Sequence, residues 1–525
     1  MLTIVNFWLK FYIFVKIFLT KKTLKMKKTI LSLSVVLAMF SCSQHETIDL
    51  GEAVQQGDLL SRTEINKVID NSLQATGDFR WSSVDAHTIY SAVKLGDNIL
   101  TIGYGASKNE FARSEASSNI KNEVIQLVQK IEGTDAAAKG SSPEVYVNES
   151  INIVDIKVTK KETIVALLKD SRVRYIEPSG YAYFATTQDA APRQESSSGG
   201  SGCGYDAFTI DTEDYRTVAP GARVPWNFDL HNIPEAWKYS TGAGVTVGII
   251  DSGLSPEQKW MNQYFNDGYS SGRTVQKYGS FVDSWWAWSN NYDGVDDKCG
   301  HGTKMAAMAT APRNDDNLPV GVAYNANLVS YRAVENVVID DYHEKRGVVE
   351  ALTALANRSD VKVISMSLGN PFNISNVADA IKYAHSKGKM VLAAGGTSTS
   401  FTTWYGVIFP ASMPETVAVT GVKEGEYENC DICHSGSQID FTIQMERSSG
   451  VNLPGLSYYD GKETYVGGSS IATATTAGIA ALVWSKNPTW SREQVLEKMR
   501  QASEFYPNKH SEYGYGNIDA LKAVK

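Results

Sequence analysis

The chain has 525 residues, of which 42% are hydrophobic and 21% charged, and its formal net charge is -8. This length predicts two or more domains, each able to bury a core of its own. The ordinary soluble composition and slight acidic excess exclude a nucleic-acid partner, which would need clustered basic residues.

Residues 1–41 read as a targeting segment. Met26-Lys27-Lys28 and the run TILSLSVVLAMF form a basic n-region and a short apolar h-region, followed by Ser41-Cys42 and polar sequence. This arrangement, 26–41, resembles a bacterial lipoprotein signal. The resemblance implies export, a lipid on Cys42 that ties the chain to a membrane, and a place at the bacterial outer membrane or cell surface unless processing releases it. Residues 1–25 carry Lys10 and Lys16 inside an apolar run, charges that are expensive at bilayer depth. They read as an upstream extension, with translation starting at Met26.

Residues 42–184 read as a small α+β unit. Asp58–Leu73 has helical spacing, Thr88–Val93 and Asn98–Gly103 look like strands, and Ile120, Val124, Leu127 and Ile131 share one helix face. A strand (SINIVDIKV), a helix (KKETIVALLKD) and a last strand (VRYIEP) complete the unit. Residues 185–225 follow as a linker. Its stretch QESSSGGSGCG, Gln194 to Gly204, has the composition of a flexible segment open to cleavage.

From Trp226 the pattern changes, and 226–525 reads as one domain. GVTVGIID, VKVISMSLG, KMVLAAGG and TVAVTGV are unbroken apolar runs separated by helical stretches. That predicts an α/β fold with a mostly parallel sheet covered by helices on both faces. Functional groups in such folds gather at the carboxyl ends of strands, where Asp251, Gly369 and Gly395 fall. The stretch from Tyr465 to Trp484, YVGGSSIATATTAGIAALVW, is too long for a strand and apolar on every side. It reads as a buried helix, with Ser469 and Ser470 at its start as residue types that satisfy first-turn amides.

Three of these positions make chemical sense together. A helix N-terminus offers amide donors to an oxyanion, and a serine there has the hydroxyl of an acyl-transfer nucleophile. His301, in CGHGTKMAAMATA, is flanked by glycines and opens a small-residue helix. In the order Asp251, His301, Ser470 the chain supplies an orienting carboxylate, a base and a nucleophile.

The motifs IIDSG, GHGT and GGSSIAT, with GVAYNANLVSYRAV, SMSLG, FPASMPETVAVTGV and YGYGNIDALKAV in order between and after them, resemble those of a subtilisin-like serine protease, a subtilase. The preceding strand–helix–strand, NIVDIKVTKKETIVALLKDSRVRYIEP, resembles the end of a subtilase propeptide. The resemblance implies a serine endopeptidase made as a zymogen, with a peptide or protein substrate and its own propeptide-like domain as partners. Ser470 would attack the carbonyl, His301 would move the proton, and Asp251 would hold the imidazole. Ser367, Leu368 and Gly369 would pair with the peptide, beside Ala393, Ala394 and Gly395. No cofactor is required. Structural calcium is common in the family, but Asp293, Asp296 and Asp297, the densest acidic cluster, read as a solvated loop.

The chain departs from the family at one catalytic position. An asparagine side chain normally follows the Ala-Ala-Gly run and donates to the oxyanion; here Gly396 follows Ala393-Ala394-Gly395. Either Thr397 or Ser398 reaches in, or Gly396 turns a backbone amide inward. A subtilase fold that has lost turnover and serves as a surface binding or scaffolding module is the competing reading. Lys304 replaces a second histidine and places a cation near His301. Ile408, before Phe409-Pro410, falls where the family places its pocket floor, which predicts small or medium apolar side chains before the scissile bond. The insert FVDSWWAWSNNYDG, Phe281 to Gly294, packs as a local core or extends the groove.

With Cys42 set aside, four cysteines remain, at 203, 299, 430 and 433, and three pairings are possible. Cys430-x-x-Cys433-His434 spells a haem-attachment signature, but a short-loop disulfide or two free thiols are the plainer accounts.

Overall fold

A computed structural model describes residues 58–133, 144–185, 202–284, 286–398 and 406–525. Leu59–Lys525 forms one compact unit. The targeting segment, Cys42 and linker residues 186–201 lie outside the described residues. Among the described residues no helix is long and apolar enough to cross a membrane.

The N-terminal part begins with helix α1 (Arg62–Thr76), started by a Ser61/Glu64 capping box and stopped at Gly77. Thr88–Val93, expected as a strand, lies inside helix α2 (Ala86–Leu95). The Asp85 carboxylate accepts from the Thr88 amide at 2.8 Å, and that N-cap outweighs the β-branched composition. Strand β1 (Ile99–Tyr104), helix α3 (Glu115–Glu132), strands β2 (Glu144–Val147) and β3 (Ile153–Lys157), helix α4 (Lys161–Lys169) and strand β4 (Val173–Glu177) follow. The strands form an antiparallel sheet in the order β2-β3-β1-β4. Alternation sorts its faces: Leu100, Ile102, Val154 and Ile156 pack with Ile69, Ile89, Val124 and Leu167 from the helices. Ile153 joins a different core, described next.

After a hairpin of β5 (Tyr215–Val218) and β6 (Ala222–Pro225) comes the large sheet. It contains β7 (Thr246–Asp251), β8 (Val275–Gly279), β9 (Asn327–Arg332), β10 (Val361–Met366), β11 (Met390–Ala394), β12 (Thr416–Lys423) and β13 (Phe441–Glu446). Their order is β13-β12-β11-β10-β7-β9-β8, with every neighbouring pair parallel. Helix α5 (His301–Thr310) lies between β8 and β9 in the chain, α6 (Tyr342–Asn357) between β9 and β10, and α7 (Ser375–Ser386) between β10 and β11. The β14 (Leu453–Leu456) and β15 (Glu463–Val466) pair leads into α8 (Gly468–Lys486). On one face α5 and α8 bury Met305, Met308, Ile471, Ile479 and Leu482 against the sheet. On the other, α6 and α7 bury Val348, Leu352, Val377 and Ile381. Helices on both faces explain why β7, β10, β11 and β12 are buried along almost their whole length.

The free face of the N-terminal sheet lies on α6 and α7. Arg174 on β4 pairs with Asp379 on α7, each side chain only 4% exposed, and the Tyr175 hydroxyl donates to the same carboxylate at 2.9 Å. Glu177 accepts from the Ser375 amide at 2.9 Å. It thereby caps α7, whose own N-cap residue Ile374 makes no side-chain cap. Asp155 accepts from the Tyr342 hydroxyl at 2.9 Å, while Lys345 donates to the Ser179 and Tyr181 carbonyls at 3.0 and 2.9 Å. Asp340 accepts from the Tyr183 and Phe184 amides at 2.8 and 2.9 Å. Desolvation raises the carboxyl pKa of Asp155 to about 6 and of Glu177 to about 7. The aromatic insert joins this contact: Trp288 packs with Ala287, Tyr342 and Ile99 of β1.

Candidate active site

Asp251 is the last residue of β7 and His301 the first of α5. The strand end and the helix start meet because Gly302 lets them: a β-carbon there would lie 2.5 Å from the Gly253 carbonyl oxygen and 3.2 Å from the Asp251 Cβ. His301 Nδ1 lies 2.8 and 3.0 Å from the two Asp251 oxygens. Both side chains are buried, and a donor at Nδ1 leaves Nε2 as the basic nitrogen.

Asp297 organises this turn. It is fully buried, not part of a solvated loop as its neighbourhood suggests. Its carboxylate accepts from the Ser252 hydroxyl, the Cys299, Gly300 and Thr303 amides and the Thr303 hydroxyl, at 2.6 to 2.9 Å. Two of these amides are orphan donors around the start of α5, whose N-cap Gly300 has no side chain. The Ser252 hydroxyl also accepts from the Gly302 amide at 2.9 Å. Sequence reading missed Asp297 because an acid in an Asp-rich loop gives no sign of its depth; its spacing from the GHGT motif is the only hint. Asp293 pairs with Lys298 and Arg332, and Asp296 with Lys277, so the three carboxylates do not form one ligand set. Lys304 donates to the Gly204 carbonyl at 3.1 Å, and burial lowers its pKa.

Ser470 stands in the first turn of α8, half-buried. The serines were expected to cap this helix, but the N-cap is Gly467, without a side-chain cap. First-turn amides therefore remain donors for a ligand. Ser367, buried at the end of the β10 run, donates to the Ser470 carbonyl at 3.0 Å. Among the described residues Asp251 and His301 are hydrogen-bonded, and no hydrogen bond joins the Ser470 hydroxyl to His301. Free enzymes commonly show this gap, which tightens when substrate binds.

The segments expected to meet a peptide are tied together. The Ile408 amide donates to the Gly395 carbonyl at 3.0 Å, and Asn370 and Phe409 exchange backbone hydrogen bonds at 2.9 and 3.1 Å. Ile408 Cδ1 would lie 2.9 Å from a β-carbon on Gly369, so the side chain covers that glycine. Ala393 is buried with Ala411, Ala418 and Ile439, and Leu368 belongs to the α6–α7 core; neither side chain is open to a peptide. Gly369, expected to pair with a peptide, already donates to the Val337 carbonyl at 3.0 Å and accepts from the Ile339 amide at 2.9 Å.

Both cysteine pairs are bonded, Cys203 to Cys299 and Cys430 to Cys433. The second closes a loop that runs beside Gly396, and its sulfurs are committed to each other instead of to a haem.

A match to the subtilase family spans residues 242–516. Subtilisin E of Bacillus subtilis (strain 168) is 30% identical over 314 residues, covering 60% of this chain and 74% of that protein. The subtilisin of Bacillus pumilus is 30% identical over 285 residues, 54% of this chain and 92% of that protein. Among solved structures, fervidolysin from Fervidobacterium pennivorans aligns with a TM-score of 0.57 at 16% identity, over 81% of this chain and 60% of that one. The epidermin leader peptide processing serine protease of Staphylococcus aureus aligns with a TM-score of 0.54 at 18% identity, over 81% of this chain and 99% of that one. These two likenesses concern the fold. The sequence matches and the motif order carry the assignment: the chain belongs to the subtilase family and is a serine-type endopeptidase.

Proposed function

We propose that hydrolysis runs through Asp251, His301 and Ser470, and that the chain is an exported zymogen tethered by a lipid on Cys42. The observation that carries the triad is the buried Asp251–His301 pair at 2.8 Å, with Ser470 on an uncapped helix start. Ser470 Oγ bonds to the scissile carbonyl carbon while His301 Nε2 takes the hydroxyl proton. The oxyanion rests on the Ser470 amide. Collapse breaks the C–N bond as His301 returns the proton to the leaving amine. Water then repeats the sequence on the acyl-enzyme, releasing the acid and restoring Ser470. Asp251 holds the Nδ1–H tautomer and stabilises the imidazolium throughout. Ile408 over Gly369 leaves a shallow pocket and favours small or medium apolar side chains before the cut.

The zymogen reading is supported by the N-terminal sheet seated on α6 and α7, with Glu177 capping α7. In it, residues 42–184 are a propeptide, cut within the linker. Fluorophosphonate labelling tests the triad: wild type should label and Ser470→Ala should not. Labelling that persists in Ser470→Ala refutes it. N-terminal sequencing of the mature protein tests the cut, and radiolabelled palmitate incorporation in wild type but not Cys42→Ser tests the lipid.

A further inference from the structure

The aromatic insert leaves the catalytic part and returns to it at one neck. There the Asp293 amide donates to the Phe281 carbonyl at 3.0 Å, and the Phe281 amide donates to the carbonyl of Arg332, the last residue of β9, at 3.1 Å. Residues 286–293 then lie along α6. Arg346 donates to Asn290 Oδ1 at 2.6 Å, the Tyr292 hydroxyl donates to Glu350 at 2.7 Å, and Arg346 and Glu350 are bonded to each other at 2.9 Å. These two α6 residues are about one helical turn apart, so they present a single ridge on which the insert sits.

The same stretch meets the N-terminal sheet. Ile99 of β1 and Lys157 of β3 are directly opposite each other, so their side chains share a face. Thr101 with Asp155, and Gly103 with Ile153, follow along that face. Asp155 is bonded to Tyr342 of α6, and Ile153 is buried in the α6–α7 core. The Ile99–Lys157 pair lies beyond them, and the insert covers it. Ile99 is buried with Ala287 and Tyr342, and Trp288 and Val145 of β2 pack against them. The Lys157 ammonium lies 5.1 Å from the Trp288 ring centroid, a distance at which the negative face of an indole attracts a cation. Arg346, which holds Asn290 of the insert, also lies 4.5 Å from the ring centroid of Tyr146 on β2. The Arg174–Asp379 pair, by contrast, is made on β4, at the opposite edge of the sheet from β2. The insert thus gives the N-terminal part a second hold, across the sheet from the first.

We propose that residues 286–293 are a recognition element for the N-terminal part of this same chain, and that Trp288 seated on Ile99 and Lys157 sets how long that part stays once the linker is cut. This deepens the zymogen reading above and rests on it. The partner it fits is a sheet face that presents an apolar side chain beside a cation, as the Ile99–Lys157 pair does. Trp288 answers both, with flat apolar area for the one and a negative ring face for the other. Departure of the N-terminal part must break this hold as well as the one at β4. Changes at an interface act mostly on the rate of leaving, and aromatic anchors carry much of the effect.

The test uses the full chain carrying Ser470→Ala and a site-specific protease sequence within residues 186–201. The chain is immobilised through a tag after Lys525 and cut, and the N-terminal part that washes away is followed with time. Trp288→Ala should speed release roughly tenfold and Lys157→Met roughly threefold. Lys157→Arg keeps the cation and should stay within about twofold of the parent. Because the two side chains meet, Trp288→Ala/Lys157→Met should release at most about twice as fast as Trp288→Ala alone, well short of the roughly thirtyfold that independent effects would give. Should Trp288→Ala fail to fold by circular dichroism, Tyr292→Phe, which loses the bond to Glu350, should speed release about threefold. Unchanged release in Trp288→Ala, or independent effects in the double variant, overturns the proposal. Trp288→Ala in the chain with its natural serine, showing ordinary release but a raised KM for peptides, overturns it in favour of a groove role. A wild type that leaves its own linker intact refutes the propeptide reading alone, since the engineered cut measures the insert's hold directly.

Discussion

The Arg174–Asp379 pair offers a sharp test of how the two parts of the chain are held together. Both side chains are 4% exposed, and the carboxylate keeps one other side-chain partner, the Tyr175 hydroxyl. Arg174→Met leaves a desolvated Asp379 with that single donor, a loss of about 3–5 kcal/mol. Arg174→Met/Asp379→Leu removes both charges and should cost less than the single change, because no uncompensated ion remains. The Ser470→Ala background keeps the chain uncut during the measurement. Urea unfolding followed by tryptophan fluorescence is the assay, since Trp81 is packed in the N-terminal core. With a slope of about 2 kcal/mol per molar, the transition of that core should fall by about 2 M in the single variant. A shift under about 0.5 M, or a double variant worse than the single, would refute the claim that this pair is buried and bonded across the contact.

The same contact should respond to acid. Glu177 and Asp155 have pKa values raised to about 7 and about 6 in the assembled state, so that state binds more protons than the separated one between their ordinary values and these. Association is then strongest below the ordinary carboxyl range and weakens as pH rises through about 6 to 7. Size-exclusion chromatography of linker-cut protein should retain the N-terminal part at pH 5 and shed more of it at pH 8; equal retention contradicts this. Gly396→Ala should lose about 2 kcal/mol or more, from the 2.5 Å approach to His434 and the positive φ, and calorimetry that finds an unchanged Tm argues against the close contact. Cys203→Ser opens a link between residues 96 apart in sequence, which the chain-entropy account values at about 5 kcal/mol. Guanidinium unfolding without reductant should show the loss.

What the sequence revealed and concealed follows from the range of the interactions. β7, β10, β11 and β12 were visible because burial on both faces makes a strand apolar along its length. The places of Asp251, His301 and Ser470 at a strand end or a helix start are legible because glycine lies within two residues of each. Thr88–Val93 was misread because its composition suits a strand, while one cap hydrogen bond from Asp85 starts a helix. Asp297 and His434 were hidden for another reason. Their significance comes from partners that the fold brings close, Ser252 and Thr303 for one and Gly396 for the other, and no local periodicity encodes such meetings.

Gly369 already spends its main-chain groups within the fold. With its amide given to the Val337 carbonyl and its carbonyl accepting from Ile339, an arriving chain that uses this glycine's amide must swap a hydrogen bond instead of adding one. Each such bond is worth about 0.5–1.5 kcal/mol net, so the swap leaves little gain from the main chain at that register. For a peptide that pairs at this glycine, discrimination falls on side chains nearer the cut, and the Gly369 amide must first part from Val337.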